Sequence, residues 1–105
     1  NRTIIPGLID THTHQTCYAG ELLGKIWLAY GITSVRETGG DPYDARERKE
    51  SWSSEQRPGP RLFFTGNLTD GSRIYYEVGN AMLNPAQMMR ELERERRLEY
   101  DLVKT

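Results

Sequence analysis

The stretch Pro6-Gly7-Leu8-Ile9-Asp10-Thr11-His12-Thr13-His14 contains a run typical of a strand and two histidines that are separated by one residue. Residues 8 to 13 are rich in apolar and β-branched side chains, which is typical of a strand. Because side chains alternate along a strand with a rise of about 3.3 Å per residue, His12 and His14 leave the same face with Cα atoms about 6.6 Å apart. Two imidazoles at that spacing can converge on one Zn²⁺ or similar ion. Asp10 has the same parity, and we expect its carboxylate to orient one imidazole.

The composition excludes several classes of function. The chain has 105 residues, with 14 Lys and Arg against 15 Asp and Glu and a formal net charge of −1. It therefore has no basic excess to neutralise nucleic-acid phosphates. The longest mainly apolar run, from Ile26 to Tyr30, is far shorter than the roughly 18–20 residues of a membrane-spanning helix. The single cysteine, Cys17, cannot form an internal disulfide, which fits a reducing compartment. We expect a cytoplasmic protein that binds neither nucleic acid nor membranes.

Strand and helix patterns alternate along the chain. We expect strands at about residues 8–14, 32–37, 61–65 and 100–105 and helices at about residues 20–30, 42–56 and 85–99. This order predicts parallel strands joined by right-handed helical crossovers, and hence an α/β sheet or barrel. The segment from Gly66 to Asn84 is rich in Gly, Asn, Asp and Ser, which is typical of a long surface loop.

Local signals define two of these elements more closely. The first strand is expected to be buried, and the first helix carries one apolar stripe, formed by Leu22, Leu23, Ile26, Trp27 and Tyr30. The third helix begins after Asn84, a residue that caps helices well, and Pro85 suits the first turn because its missing N–H costs nothing there.

Three segments resemble one known family. Residues 4 to 14 resemble the first barrel strand of the metal-dependent amidohydrolase superfamily, whose hallmark is Pro-Gly-Leu-Ile-Asp-x-His-x-His. Residues 31 to 40, Gly-Ile-Thr-Ser-Val-Arg-Glu-Thr-Gly-Gly, are similar to its second strand, and residues 59 to 66, Gly-Pro-Arg-Leu-Phe-Phe-Thr-Gly, to its third. The resemblance covers most of the chain, and the segment from Tyr100 to Lys104 favours the imidazolonepropionase-like and dipeptidase-like branches.

The resemblance implies a (β/α)8 TIM-type barrel. Such barrels take about 250 residues, so this chain is expected to be a fragment that supplies about the first half, with four strands. In the family, two histidines on the first strand, a carboxylated lysine on the fourth and later histidine and aspartate residues hold one or two divalent ions. The positions that match are His12, His14 and Lys104, and Zn²⁺ is the expected metal. Carboxylation would turn the Lys104 amine into an anionic ligand; the alternative is an ordinary solvated lysine.

The activity that the resemblance implies is hydrolysis of an amide, cyclic amide, peptide or lactone bond in a small-molecule substrate, through a metal-activated water. Because the remaining ligands and the aspartate base have no counterpart here, we assign no catalytic residue and expect the isolated chain to be inactive. The alternative is a small stand-alone metal-binding or self-associating module without catalysis. An incomplete barrel exposes strand edges and apolar surface, so a homo-oligomer is expected.

Other conspicuous residues carry weaker expectations. Arg36 and Glu37 either line the site or form an ion pair, and the family often has Asp where Glu37 stands. We expect Trp52, Tyr75 and Tyr76 to pack against the scaffold rather than to contact substrate.

Overall fold

The computed structural model describes residues 2–15, 17–54 and 56–105. The elements are β1 (Leu8–Thr13), a 3₁₀ helix (Cys17–Ala19), α1 (Leu22–Ala29), β2 (Ile32–Glu37), α2 (Pro42–Ser53), β3 (Arg61–Phe64), β4 (Leu68–Asp70), β5 (Gly79–Ala81) and α3 (Pro85–Arg97). Strands β1, β2 and β3 form one parallel sheet in that order, and β4 and β5 form a separate parallel pair. The alternating parallel units confirm the predicted α/β class.

The core lies between the three-stranded sheet and α2. Val35 of β2 pairs in register with Leu62 of β3, and both pack against Trp52 of α2. Because side chains alternate along a strand, Glu37 and Phe64, which are also paired in register, lie on the same face as this cluster. Both are buried. The layer between sheet and helix therefore contains a carboxyl group as well as apolar side chains.

Side-chain caps decide where α2 and α3 begin. The Oδ1 atom of Asp41 accepts hydrogen bonds from the main-chain N–H groups of Tyr43 (2.8 Å) and Asp44 (3.0 Å). In the same way Oδ1 of Asn84 accepts from the N–H group of Gln87 at 3.0 Å, as the sequence predicted. Each cap satisfies a donor of the first turn that has no partner within the helix.

The predicted fourth strand at residues 100–105 is wrong. This segment runs as extended chain beside the end of β3. The Asp101 N–H group donates to the Phe64 carbonyl (3.0 Å), and the Lys104 carbonyl accepts from the Thr69 N–H group (2.8 Å). A regular parallel ladder needs evenly spaced bonds along both chains, which these two bonds do not supply.

The predicted surface loop between Gly66 and Asn84 is wrong in part, because it contains β4 and β5. Leu68 pairs with Gly79 at the start of this two-stranded sheet. Thr69 is buried, and its hydroxyl donates to Oε1 of Glu95 on α3 at 2.7 Å. Each strand has only three residues, too few for hydrophobic alternation to reveal it.

The first strand is exposed rather than buried, which also corrects a prediction. Among the strands that the structure describes, β1 pairs with β2 alone, and Ile9 is 68% exposed. The apolar stripe of α1 is exposed in part as well, at Leu22, Ile26 and Tyr30, whereas Trp27 packs against the core cluster.

The helices are shorter than the sequence predicted. The first spans residues 22–29 instead of 20–30, the second 42–53 instead of 42–56, and the third 85–97 instead of 85–99. Position 55 of the second prediction lies outside the described residues. Among the helices that the structure describes, none has the length and apolar character needed to cross a membrane.

Candidate metal centre

Parallel pairing brings the carboxyl ends of β1, β2 and β3 to one edge of the sheet, and the candidate site lies there. His12 belongs to β1, His14 follows it directly, and Gly39 comes two residues after β2. Lys104 reaches the same edge because its carbonyl is bonded to the N–H group of Thr69. One pocket of about 470 Å³ is lined by His12, His14, Gly39, Leu68, Tyr76, Val78 and Lys104. The three residues predicted as metal ligands therefore share a pocket, and their binding of a metal stays a prediction.

The two imidazoles are neighbours. Their ring centroids are 5.3 Å apart and their planes are inclined by 66°. Nδ1 of His14 lies 3.1 Å from the Gly39 carbonyl oxygen. Because a carbonyl can only accept, this contact places the proton of the neutral imidazole on Nδ1 and leaves the lone pair on Nε2. A main-chain carbonyl that fixes one ring nitrogen in this way is the usual support of a histidine that ligates through the other.

Gly39 supplies this carbonyl from a backbone conformation that favours glycine. Its φ angle is +146°, in the range that side chains with a Cβ atom rarely adopt. A Cβ atom here would also lie 3.0 Å from Cδ1 of Leu68. The orientation of His14 therefore depends on a glycine at this turn.

We expect Gly39→Ala to lower the free energy of unfolding by about 1–3 kcal/mol, because the new Cβ strains the turn. Urea denaturation followed by circular dichroism measures the change. Gly71→Ala is the matched control, since among the described residues no atom beyond its two chain neighbours lies within 4 Å of its Cβ position, and its φ is not positive. Equal losses in both variants would contradict the role assigned to Gly39.

Of two expectations about neighbouring side chains, the one for Asp10 is wrong and the one for Arg36 is confirmed in part. Arg36 lines a pocket of about 350 Å³ together with His12 and Lys104. Asp10 does not orient an imidazole: its Oδ1 accepts from the main-chain N–H group of His12 at 3.1 Å, a local turn contact that aspartate commonly makes. Arg36 donates from Nε to the Thr11 carbonyl at 2.6 Å. It does not pair with Glu37, because consecutive residues of a strand point to opposite faces and Glu37 lies on the buried one.

Glu37 is a buried carboxyl group beside the site, which the sequence analysis did not foresee. It is 2% exposed, and its Oε1 accepts from the N–H group of Gln15 at 3.3 Å. Its Oε2 has no hydrogen-bond partner among the residues that the structure describes. Burial raises the pKa of Glu37 to about 7, against the smaller opposing effects of the Gln15 hydrogen bond and the Arg48 charge. Its alternation with Val35 is the sequence signal that could have revealed this burial.

The aromatic side chains behave differently from one another. Trp52 packs in the core, as expected. Tyr76 lines the candidate pocket, contrary to expectation, and is 59% exposed. Its ring lies 5.0 Å from that of Tyr75 in an edge-to-face arrangement. Leu68, Tyr76 and Val78 line the same pocket as the histidines, and they belong to the segment that was predicted to be a long surface loop.

The donor set fits part of a divalent metal site. Across residues 2–15, 17–54 and 56–105, no group of three or more His, Cys, Asp or Glu side chains is placed to hold a metal ion. The two neighbouring imidazoles suit Zn²⁺, which takes four donors in most protein sites. An amine ligates only after it loses its proton, so Lys104 adds a donor only in a deprotonated or carboxylated form.

A second pocket, of about 580 Å³, lies between β5 and α3, but four of its polar side chains already bind one another. Nη2 of Arg94 donates to Oδ1 of Asn67 (2.6 Å), and Nδ2 of Asn80 donates to Oε1 of Glu91 (2.9 Å). The hydrogen bond from Arg94 lowers the pKa of Glu91. The pocket with the histidines, where Nε2 of His14 keeps a lone pair, is therefore the better candidate.

Comparison with known proteins supports the fold. No protein-family model and no curated protein sequence matches the chain. Among solved structures, it is similar to a protein from Bifidobacterium longum assigned as a prolidase, with a TM-score of 0.77, 22% identity, and coverage of 90% of this chain and 25% of that chain. It is also similar to an amidohydrolase, with a TM-score of 0.69, 23% identity, and coverage of 93% of this chain and 32% of that chain. A third similar structure is a Xaa-Pro dipeptidase with bound methionine in its active site, with a TM-score of 0.63, 18% identity, and coverage of 93% of this chain and 32% of that chain.

These likenesses concern about a quarter to a third of the solved chains. At this level of identity they establish the architecture. This chain has the alternating α/β fold of the N-terminal part of amidohydrolase barrels, as its first-strand motif predicted.

Proposed function

We propose that this chain is the metal-binding N-terminal part of a hydrolase that cleaves amide or peptide bonds in small molecules. The observation that carries the proposal is the single pocket lined by His12, His14 and Lys104, in which the Gly39 carbonyl leaves Nε2 of His14 with its lone pair. The likeness to amidohydrolase and dipeptidase structures supports the hydrolase class. When bound, Zn²⁺ supplies an activated water and a positive charge that polarises the scissile carbonyl.

Each residue of the pocket has a distinct part in this proposal. His12 and His14 hold the ion, and the Gly39 carbonyl keeps the proton on Nδ1 of His14. Lys104, once carboxylated, adds an anionic oxygen. Tyr76, with its apolar neighbours, excludes water and contacts the apolar part of the substrate.

Peptides are the favoured substrates among amides, cyclic amides, peptides and lactones. One of the similar structures is a prolidase complexed with N-methylphosphonate-L-proline, and another is the Xaa-Pro dipeptidase. Because the chain spans only 25% to 32% of these proteins, we propose that the isolated 105-residue chain binds metal but turns over no substrate.

We expect His12→Ala and His14→Ala each to weaken Zn²⁺ binding by about 100-fold, because a site with two imidazoles is left with one. Isothermal titration calorimetry with Zn²⁺ measures the affinity. Thr11→Ala is the matched control, because residue 11 is the neighbour of His12 on the same strand and its side chain points to the opposite face. The substitution also leaves the main-chain carbonyl that accepts the hydrogen bond from Nε of Arg36.

The same titration tests the lysine. Bicarbonate is expected to strengthen Zn²⁺ binding by the wild-type chain and to have no effect on Lys104→Arg, which cannot form the carbamate. A wild-type chain that does not bind Zn²⁺, or histidine variants that bind as tightly as wild type, would refute the proposed site.

A second candidate is a self-associating or stand-alone metal-binding module. The exposed edge strand β1, with Leu8 and Ile9 at its surface, favours association with another copy, since an open apolar edge invites pairing. Light scattering gives the molar mass of the titrated samples and separates the stand-alone module from the self-associating one. A monomer that holds stoichiometric Zn²⁺ favours the stand-alone module, and an oligomer that forms without Zn²⁺ favours self-association.

A further inference from the structure

Glu37 is a buried carboxyl group that has no role in the proposed hydrolysis. It ends β2, lies on the face that packs against α2 and is 2% exposed. An ion pair does not explain its burial, because its carboxylate oxygens have one hydrogen-bond contact among the described residues, with the N–H group of Gln15. An apolar side chain of similar volume would fill this place at lower cost, because a buried carboxyl loses hydration that one bond does not replace.

The first contact of Glu37 holds the chain that carries His14. Gln15, whose N–H group donates to Oε1 of Glu37 at 3.3 Å, follows His14 directly. On the other side of His14, Thr13 pairs with Glu37 in the sheet register, and its carbonyl accepts from the N–H group of Thr38 at 3.1 Å. The main chain is therefore held on both sides of His14 by residues 37 and 38.

The second contact of Glu37 supports the turn that fixes the His14 ring. A Cβ atom on Gly40 would collide with Oε1 of Glu37, so the turn lies directly on the carboxyl group. The preceding residue, Gly39, provides the carbonyl that Nδ1 of His14 meets at 3.1 Å. One carboxyl group thus touches the chain after His14 and the turn that orients its ring.

We propose that Glu37 is a positioning residue that holds His14 in its metal-binding orientation, through the N–H group of Gln15 and through the turn at Gly39 and Gly40. This inference rests on the proposed metal site. Glu37 does not contact the metal or the substrate, since it lies on the face of β2 that packs against α2. Its effect on metal binding passes through the tautomer and orientation of one imidazole.

Two substitutions separate positioning from packing. Glu37→Gln keeps a carbonyl oxygen for the Gln15 N–H group, so we expect Zn²⁺ affinity within about threefold of wild type. Glu37→Met has similar length but no strong acceptor, so we expect about tenfold weaker Zn²⁺ binding. Nitrogen-15 NMR of the histidine rings, recorded without metal, should show His14 with its proton on Nδ1 in wild type and Glu37→Gln. The Glu37→Met variant should show a mixture of tautomers.

Glu95→Met is the matched control. Glu95 is also 2% exposed and has a buried oxygen without a partner among the described residues, but it lies on α3 and bonds to Thr69. We expect this variant to leave the His14 tautomer unchanged. The same tautomer change in Glu95→Met and Glu37→Met would overturn the inference, because it would reflect a general loosening of the fold.

Wild-type measurements keep the inference testable if Glu37→Met does not fold. The proposed contacts require that the Gln15 amide be protected from hydrogen exchange and that the His14 proton reside on Nδ1 in the native chain. Free exchange at Gln15, or a proton on Nε2 of His14, would overturn the inference without any variant. Because these readouts need no metal, they are distinct from failure of the proposed function, which would appear as absent Zn²⁺ binding by wild type.

Discussion

Replacing Phe64 by alanine is expected to lower the free energy of unfolding by about 3–5 kcal/mol. Phe64 is fully buried and is the largest of the fully buried side chains. The ring centroid of Phe64 lies 5.4 Å from that of Tyr100. Nζ of Lys49 lies 5.5 Å from the Phe64 centroid. Removal of the ring leaves a cavity where the segment leading to Lys104 packs on the sheet, so both transfer free energy and packing are lost.

Urea denaturation measures this loss, and the neighbouring residue provides the control. Phe63 lies on the opposite face of β3 and is 39% exposed. We expect Phe63→Ala to cost about 1 kcal/mol or less, because part of its ring remains in water in the folded chain. Similar losses in the two variants would show that the core is not centred on the buried face of β3.

The second large effect is a loss of stability as the pH rises from about 4.5 to about 7. Desolvation raises the pKa of Glu37 from 4.5 to about 7 in the folded chain, so the folded state binds this proton more tightly than the unfolded state. The stabilisation is complete below pH 4.5 and is lost as the pH rises through 7. The difference corresponds to about 3 kcal/mol.

Other charged groups modify this pH dependence. On α2, Arg48 lowers the pKa of Glu37 and Asp44 raises it. Burial also raises the pKa of Glu95, whose contribution therefore has the same sign. Hydrogen bonds from Arg96 and Arg97 lower the pKa of Glu93 to about 2. The contribution of Glu93 to stability therefore has the opposite sign, and it changes below pH 4.5 rather than between pH 4.5 and 7.

Urea denaturation at several pH values between 4.5 and 7 measures the effect, and Glu37→Gln is the variant to compare. The glutamine has no proton to bind in this range, so we expect its stability to vary much less with pH than that of the wild type. Parallel pH profiles for the two proteins would contradict the assignment to Glu37.

Features with a local cause were predictable from the sequence. The cap at Asn84 needs only a side chain that reaches the N–H group of Gln87, three residues away. The His-x-His spacing predicted that the two rings would be neighbours, and the structure places both in one pocket, although the pairing of β1 with β2 shifts register between Asp10 and Thr13. The strand predicted at residues 100–105 failed because a strand needs a regular partner, and the two bonds to Phe64 and Thr69 do not provide one.

The sequence by itself determined the alternation of helices and parallel strands, since it follows from short-range periodicity. Only the tertiary structure decided that Lys104 lines the same pocket as His12 and His14 and that Glu37 is buried against α2. It also decided that the Gly39 carbonyl, 25 residues along the chain from His14, fixes the tautomer of that ring. The physical reason is that these contacts join segments distant in sequence, and no local preference of either segment specifies its partner.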